Sequence, residues 1–187
     1  MKIAQEYSHL NGKEYLLVHH KKTLKEIYEV VKSIDAKKHN PASLIKEFKD
    51  LLYAKGWEER RRDFFVSTDP NIVKLLEPLD FADQKKLLQE LNHPLYDSYN
   101  QTDFVKNKIA VEVQLGKYFA VTYDLFVKHL SFYSGQIIDV GIEIVPTKNM
   151  QKFMSSGPPW FEKEIHNVLR HGRTNPPVPL LILGIEP

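Results

Sequence analysis

Cysteine is missing from all 187 residues. Thiol nucleophiles, disulfides and Cys-based zinc sites are thereby excluded, and a reducing, cytoplasmic setting is expected. Long apolar runs are also missing: no stretch reaches the roughly 18 residues a membrane span needs. The N-terminal MKIAQEYSHLNGKEY has no hydrophobic core of the kind a signal peptide carries, so neither a span nor a leader is expected. Repeats and low-complexity linkers do not occur. A single domain over 1–187 follows, large enough to bury a core without staples. Strong net charge is lacking too, with 26 Lys and Arg against 24 Asp and Glu. No global field announces a polyanion partner, so local clusters must decide. These are Lys21-Lys22, Lys37-Lys38-His39, Arg60-Arg61-Arg62 and Arg170-His171-Gly172-Arg173. Any one of them taken alone reads as a solvated helix face.

What is present is alternating helix and strand patterning. Glu14 to Val18 reads as a short strand, and Thr23 with Glu26 forms a capping box opening a helix through Ile34. Asn40-Pro41 supplies the N-cap and first-turn proline of a second helix that Gly56 ends. Asp63 to Ser67 fits a strand, and Phe81 to Leu91 a helix stopped by Asn92-His93-Pro94, before a Tyr/Asn-rich loop. Thr102 to Gln114 carries the strongest strand signal, with Lys106-Asn107 as its turn and Glu112 and Gln114 on one face. The helix from Tyr118 to Phe132 has more apolar residues than one stripe can use, which suits a subunit interface. Asp139 to Val145 and Val178 to Ile185 read as buried strands flanking a helix from Trp160 to Arg170. The pattern predicts an α/β (α+β) fold, a central mixed β-sheet flanked by helices.

Asp103 opens the hairpin and Glu112-Val113-Gln114 lies on its return strand. If the strands pair, two carboxylates converge on one face, and hard oxygen donors of that kind suit magnesium and phosphodiester hydrolysis. In the usual nuclease form of this motif a lysine stands where Gln114 does; an amide can orient a water but brings no charge. Spacing alone favours an ordinary half-exposed hairpin with its polar residues outward.

The segment TDFVKNKIAVEVQLGKYFAVTYDLFVKH resembles the catalytic segment of type II restriction endonucleases of the BglII group. That group is an offshoot of the PD-(D/E)XK nucleases in which Gln replaces the motif lysine. MSSGPPWFEKEIHNVLRHGRTNPPVPLLILGIEP resembles the C-terminal half of the same family. The resemblance implies a restriction-endonuclease-like core and a Mg2+ ion held by Asp103, Glu112 and the Val113 carbonyl, with Gln114 touching the attacking water. A fourth acidic residue is implied upstream, with Glu59 the candidate and Glu58 and Glu90 behind it. Double-stranded DNA, a homodimer, a palindromic site with a GATC core and a companion DNA methyltransferase are implied as well.

On the same basis Lys117, Ser155 and Ser156 are candidates for contacts to bases or phosphates, and Arg170 and Arg173 for phosphate clamps. Lys37 and Lys38 are weighed equally as DNA contacts and as a solvated helix end. Trp160, Tyr118 and Phe119 are read as core or dimer-face residues, since duplex readers need no stacking platform. Two other readings stay open: a structure-specific repair or junction nuclease, and a catalytically silent DNA-binding protein of the same fold. Intact Asp103, Glu112 and Gln114 argue against the silent form.

Overall fold

In the computed structural model, residues 1–35, 40–154 and 157–187 are described. Six strands form one sheet in the order β1-β6-β5-β4-β3-β2. These are β1 Lys2–His9, β2 Glu58–Phe65, β3 Asp97–Lys106, β4 Ile109–Val113, β5 Val140–Pro146 and β6 Leu180–Glu186. The centre β4-β5-β6 is parallel, and its strands are apolar almost throughout because both faces are covered. The flanking pairs β1·β6, β2·β3 and β3·β4 are antiparallel, so the sheet is mixed, as predicted.

One face is packed by α1 Gly12–His19, α2 Lys21–Ser33 and α3 Pro41–Ala54. Their Leu16, Ile27, Leu44 and Phe48 meet Val111, Ile142 and Leu183 in an apolar core. The opposite face is covered by α6 Ala120–Tyr123, a π segment Asp124–Lys128, α7 His129–Ser134 and α9 Phe161–Arg170. Between β2 and β3 lie α4 Pro70–Leu76 and α5 Phe81–Glu90, and α8 Lys148–Gln151 follows β5. Among the described residues no helix is long and apolar enough to cross a membrane.

Several expectations are corrected. Glu14 to Val18 is helical, inside α1. Its Gly12 lies so close to β6 that a Cβ there would meet the Leu180 carbonyl oxygen at 2.4 Å, so this packing decides the segment against its local β preference. The strand that neighbours it is β1, whose mostly polar, solvent-facing pattern concealed it. Thr23 and Glu26 form no capping box. The helix starts at Lys21, Thr23 accepts from Asn107 Nδ2, and Glu26 is taken by Trp57 Nε1 at 2.7 Å and Lys106 Nζ at 2.9 Å. The strand placed at Asp63 to Ser67 begins at Glu58, and most of the Tyr/Asn-rich loop belongs to β3. The hairpin turn is Asn107-Lys108, both with positive φ, one residue later than predicted. The second helix begins at Asn40-Pro41 as predicted, with the Asn40 side chain accepting from Ala42 N.

Candidate active site

The β3–β4 hairpin positions the site. Phe104 pairs with Val111 and Val105 with Ala110, so the next pair in register is Asp103 opposite Glu112. The Asp103 N–H donates to Glu112 Oε1 at 3.3 Å. Asp103 also lies in a bulge, where two steps on β2, Glu58 to Arg60, match three on β3, Val105 to Thr102. Bulges bend a strand and re-aim its side chains, a frequent device beside functional sites. The convergence predicted from the hairpin is present.

Glu112 is fully buried yet charged groups surround it. Lys128 Nζ reaches Glu112 Oε1 at 2.8 Å and Asp124 Oδ1 at 2.8 Å. Gln114 Nε2 donates to Asp124 Oδ2 at 2.6 Å, closing a chain Glu112–Lys128–Asp124–Gln114. Among the described residues Glu112 Oε2 has no hydrogen-bond partner. Burial, followed by the Asp124 and Asp103 charges, pushes Glu112 up to about 7 against the pull of Lys128. Burial also raises Asp124, although Lys128 and Gln114 oppose it. For Lys128 burial acts downward, but Glu112 and Asp124 outweigh it and hold the ammonium above the usual lysine value.

A second carboxylate, Glu143, is paired in register with Glu112 on β5 and is equally buried. His129 Nε2 approaches its Oε2 to 3.4 Å, but the two form no hydrogen bond. Burial and then Asp124 and Glu112 push Glu143 well up, while burial and Lys128 push His129 down to about 3. With the imidazole held neutral, this contact is not an ion pair.

Glu59 lies on β2, on the neighbouring strand, and its bonds go elsewhere: Tyr53 Oη donates at 2.9 Å, Gln101 Nε2 at 3.3 Å, and Lys49 stands at 3.8 Å. Tyr53 is the link back, since burial, Glu59 and then Asp103 raise its phenol to about 12. Glu58 and Glu90 are exposed on β2 and α5 and have no contact with the pair among the described interactions. Lys117 is exposed on the loop after β4, and Arg170 and Arg173 are exposed at and beyond the end of α9. His171 packs edge-on to Phe126 at 5.4 Å, which sets the start of that arginine loop beside the π segment. Ser155, Ser156, Lys37 and Lys38 lie outside the described residues. Tyr118 and Phe119 are exposed rather than core. In the Arg60–Arg62 cluster, Arg62 is structural, bonding the Ser131 carbonyl and Glu77, and Arg61 is held by Asp63 and Tyr99.

Sequence reasoning missed Asp124, Lys128 and Glu143. Their signal was present as charges inside apolar stretches, YDLFVKH on a buried helix and GIEIV on a central strand. Such groups are almost never buried without a partner.

Among the described residues no group of three or more His, Cys, Asp or Glu side chains forms a ready-made metal cage. The carboxylates that would suit a hard cation here are those of Asp103 and Glu112, opposite each other on the hairpin. The unpartnered Glu112 oxygen and the surplus of carboxylates over Lys128 leave that cluster short of positive charge.

The fold is thus a six-stranded mixed sheet with helices on both faces. Two solved structures share it. A crystal structure of free BglII matches with a TM-score of 0.60 and 15% identity, over 98% of this chain and 79% of that one. Restriction endonuclease BglII complexed with a DNA 16-mer matches with a TM-score of 0.59 and 17% identity, over 98% and 76%. No curated protein matches. The family model "Restriction endonuclease BglII/BglIII" matches residues 4–185. The chain belongs to that family and is by membership a site-specific deoxyribonuclease, a hydrolase of DNA.

Proposed function

We propose that the chain is a magnesium-dependent type II restriction endonuclease acting as a homodimer. Its target is a short palindromic duplex with a GATC core, and each subunit cuts one strand. One observation carries the reading: the Asp103 N–H bonded to the Glu112 carboxylate across the hairpin, which sets two carboxylates together next to the Gln114 amide. Asp103, Glu112 and the Val113 carbonyl would hold the ion, which supplies Lewis-acid polarisation of the scissile phosphate when bound. Gln114 spends its amide nitrogen on Asp124, so its oxygen is the atom left to accept from the attacking water and aim it in line with the leaving 3′ oxygen. Glu59 takes the fourth acidic position in this reading, acting through Tyr53. Lys117 meets phosphate or the guanine O6 and N7 edge, and Arg170 and Arg173 clamp phosphates; their exposure supports these roles. Ser155, Ser156, Lys37 and Lys38 are further DNA contacts in the same reading.

Each chain holds one such constellation, so a two-fold axis matched to the DNA dyad supplies the second cut. The helix from Tyr118 to Phe132 is the interface in this reading: Tyr118, Phe119, Tyr123 and Val127 are all exposed apolar or aromatic residues after the catalytic strand. A methyltransferase reading the same site would protect the host.

The test is purified protein, magnesium and a plasmid of known sequence, with the fragment ends sequenced. Discrete fragments sharing one palindromic end uphold the reading. Random degradation, an asymmetric site, or a monomer by analytical ultracentrifugation both with and without cognate duplex overturns it.

A further inference from the structure

The strand position that carries lysine in related motifs carries Gln114 here, so the site is one cation short where a charge is normally delivered. The structure supplies that cation from the other side. Lys128 projects from the π segment above β4, only 13% of its side chain exposed, and its ammonium lies 2.8 Å from both Glu112 Oε1 and Asp124 Oδ1. Asp124 in turn accepts from Gln114 at 2.6 Å. The amide on the strand and the ammonium on the helix are thus joined through one carboxylate.

The local fold explains how a helix reaches that point. Asp124 and Lys128 are four residues apart, on one face, and the π segment widens the turn there, with the His129 N–H bonding back to the Asp124 carbonyl. Such widened turns occur mostly as single-turn insertions in α-helices, frequently at functional sites. Burying a lysine is costly unless paired and hydrogen-bonded. Here two buried carboxylates take it, away from the open surface where an ordinary ion pair would sit.

We propose that Lys128 is the relocated motif lysine, a positioning residue that fixes the Glu112 carboxylate and brings to the site the positive charge Gln114 cannot. It acts through Glu112 and Asp124. This rests on the metallonuclease reading above and deepens it.

The experiment compares Lys128→Met, Lys128→Arg, the double variant Gln114→Lys with Lys128→Met, and Glu112→Ala. Each is measured for single-turnover cleavage of a cognate duplex with magnesium, duplex affinity without metal, and thermal unfolding. Lys128→Met is expected to lose about a hundredfold or more in cleavage rate, as removal of one preorganised charge-stabilising donor does, with duplex affinity unchanged. Lys128→Arg retains part of the rate. The double variant, with lysine returned to the strand, recovers at least about tenfold over Lys128→Met, which a merely structural lysine would not allow. The inference is overturned if Lys128→Met cuts at the wild-type rate. It is equally overturned if the double variant unfolds at the wild-type temperature yet cuts no faster than Lys128→Met. If Lys128→Met fails to fold, Lys128→Arg and the double variant decide by the same comparison with wild type. Cleavage retained by Glu112→Ala would instead remove the active-site reading, leaving the two failures distinguishable.

Discussion

Two carboxylates stand side by side in the middle of the sheet, Glu112 on β4 and Glu143 on β5, and their surroundings differ. Both are fully buried and both face the helices that follow β4. Glu112 meets an ammonium, a backbone N–H and, one strand away, Asp103. Among the described residues the basic group nearest Glu143 is a neutral imidazole. Burial is the largest push upward on both acids, with neighbouring carboxylates adding to it. The direct difference between them is the ammonium of Lys128, which the π segment brings to 2.8 Å from Glu112 and pairs with it.

The largest expected difference is in cleavage. Glu112→Ala and Asp103→Asn should each lower the single-turnover rate by at least about a thousandfold while leaving sequence-specific duplex binding, because phosphate chemistry is separable from groove readout. Retained magnesium-dependent cutting by both would erase the distinction between the two carboxylates. Gln114→Ala comes next, with a fall of about tenfold to a hundredfold, since a water that is no longer aimed still reacts but less often in line. An unchanged rate would show that the amide serves only to hold Asp124.

The other side of the comparison is stability. Glu143 has a folded-state value raised above 4.5, so its favourable contribution is present below that value and is lost as pH rises through the folded one. Glu143→Met removes the ionisable group at nearly constant volume. It should therefore stabilise by about 1–3 kcal/mol at alkaline pH, with a gain that shrinks as pH falls toward the unfolded value. Urea unfolding without divalent ions at several pH values measures this. A gain independent of pH would mean that Glu143 is not the strained acid its surroundings make it.

The uneven legibility of the chain follows from the same physics. Glu112-x-Gln114 on a strand, with Asp103 across a hairpin, was readable because strand alternation and pairing are local rules, and the family resemblance rested on those residues. Asn40-Pro41 was readable for the same reason, a cap whose partner is two residues away. Lys128 and Asp124 pair with each other at i,i+4, but what makes them a site is Glu112 and Gln114 on another element, and nothing within TYDLFVKH says which way two charges on an apolar helix will point. Thr23 and Glu26 misled in the opposite sense, matching a local motif while serving Asn107, Trp57 and Lys106 far along the chain. Glu14 to Val18 followed its local β preference on paper and tertiary packing in the molecule. Local pairing rules made the hairpin and the Asn40 cap legible, while contacts between elements were not.

The smallest effect sharpens that point at the hairpin itself. Asn107 and Lys108 both occupy the left-handed region, with φ of 51° and 60°, as a two-residue hairpin turn of this hand requires. A lysine pays for that conformation with steric strain that glycine does not feel, and glycine returns part of the gain as chain entropy. The Lys108 side chain offers little in exchange: its ammonium is 3.7 Å from Asp139 and more than half exposed, a pair of small worth. The backbone bond from Asp139 N to the Lys108 carbonyl survives any side-chain change. Lys108→Gly should therefore stabilise by about 0.5–1 kcal/mol, read as a higher urea midpoint at unchanged slope, with cleavage unaffected. Asn107→Gly is the contrast. It removes a donor to the buried Thr23 and should gain less than Lys108→Gly or lose outright, because Asn107 ties the hairpin to α2. If Lys108→Gly lowers the midpoint, or if the two variants shift it equally, the turn is not the locally determined element that sets Asp103 against Glu112.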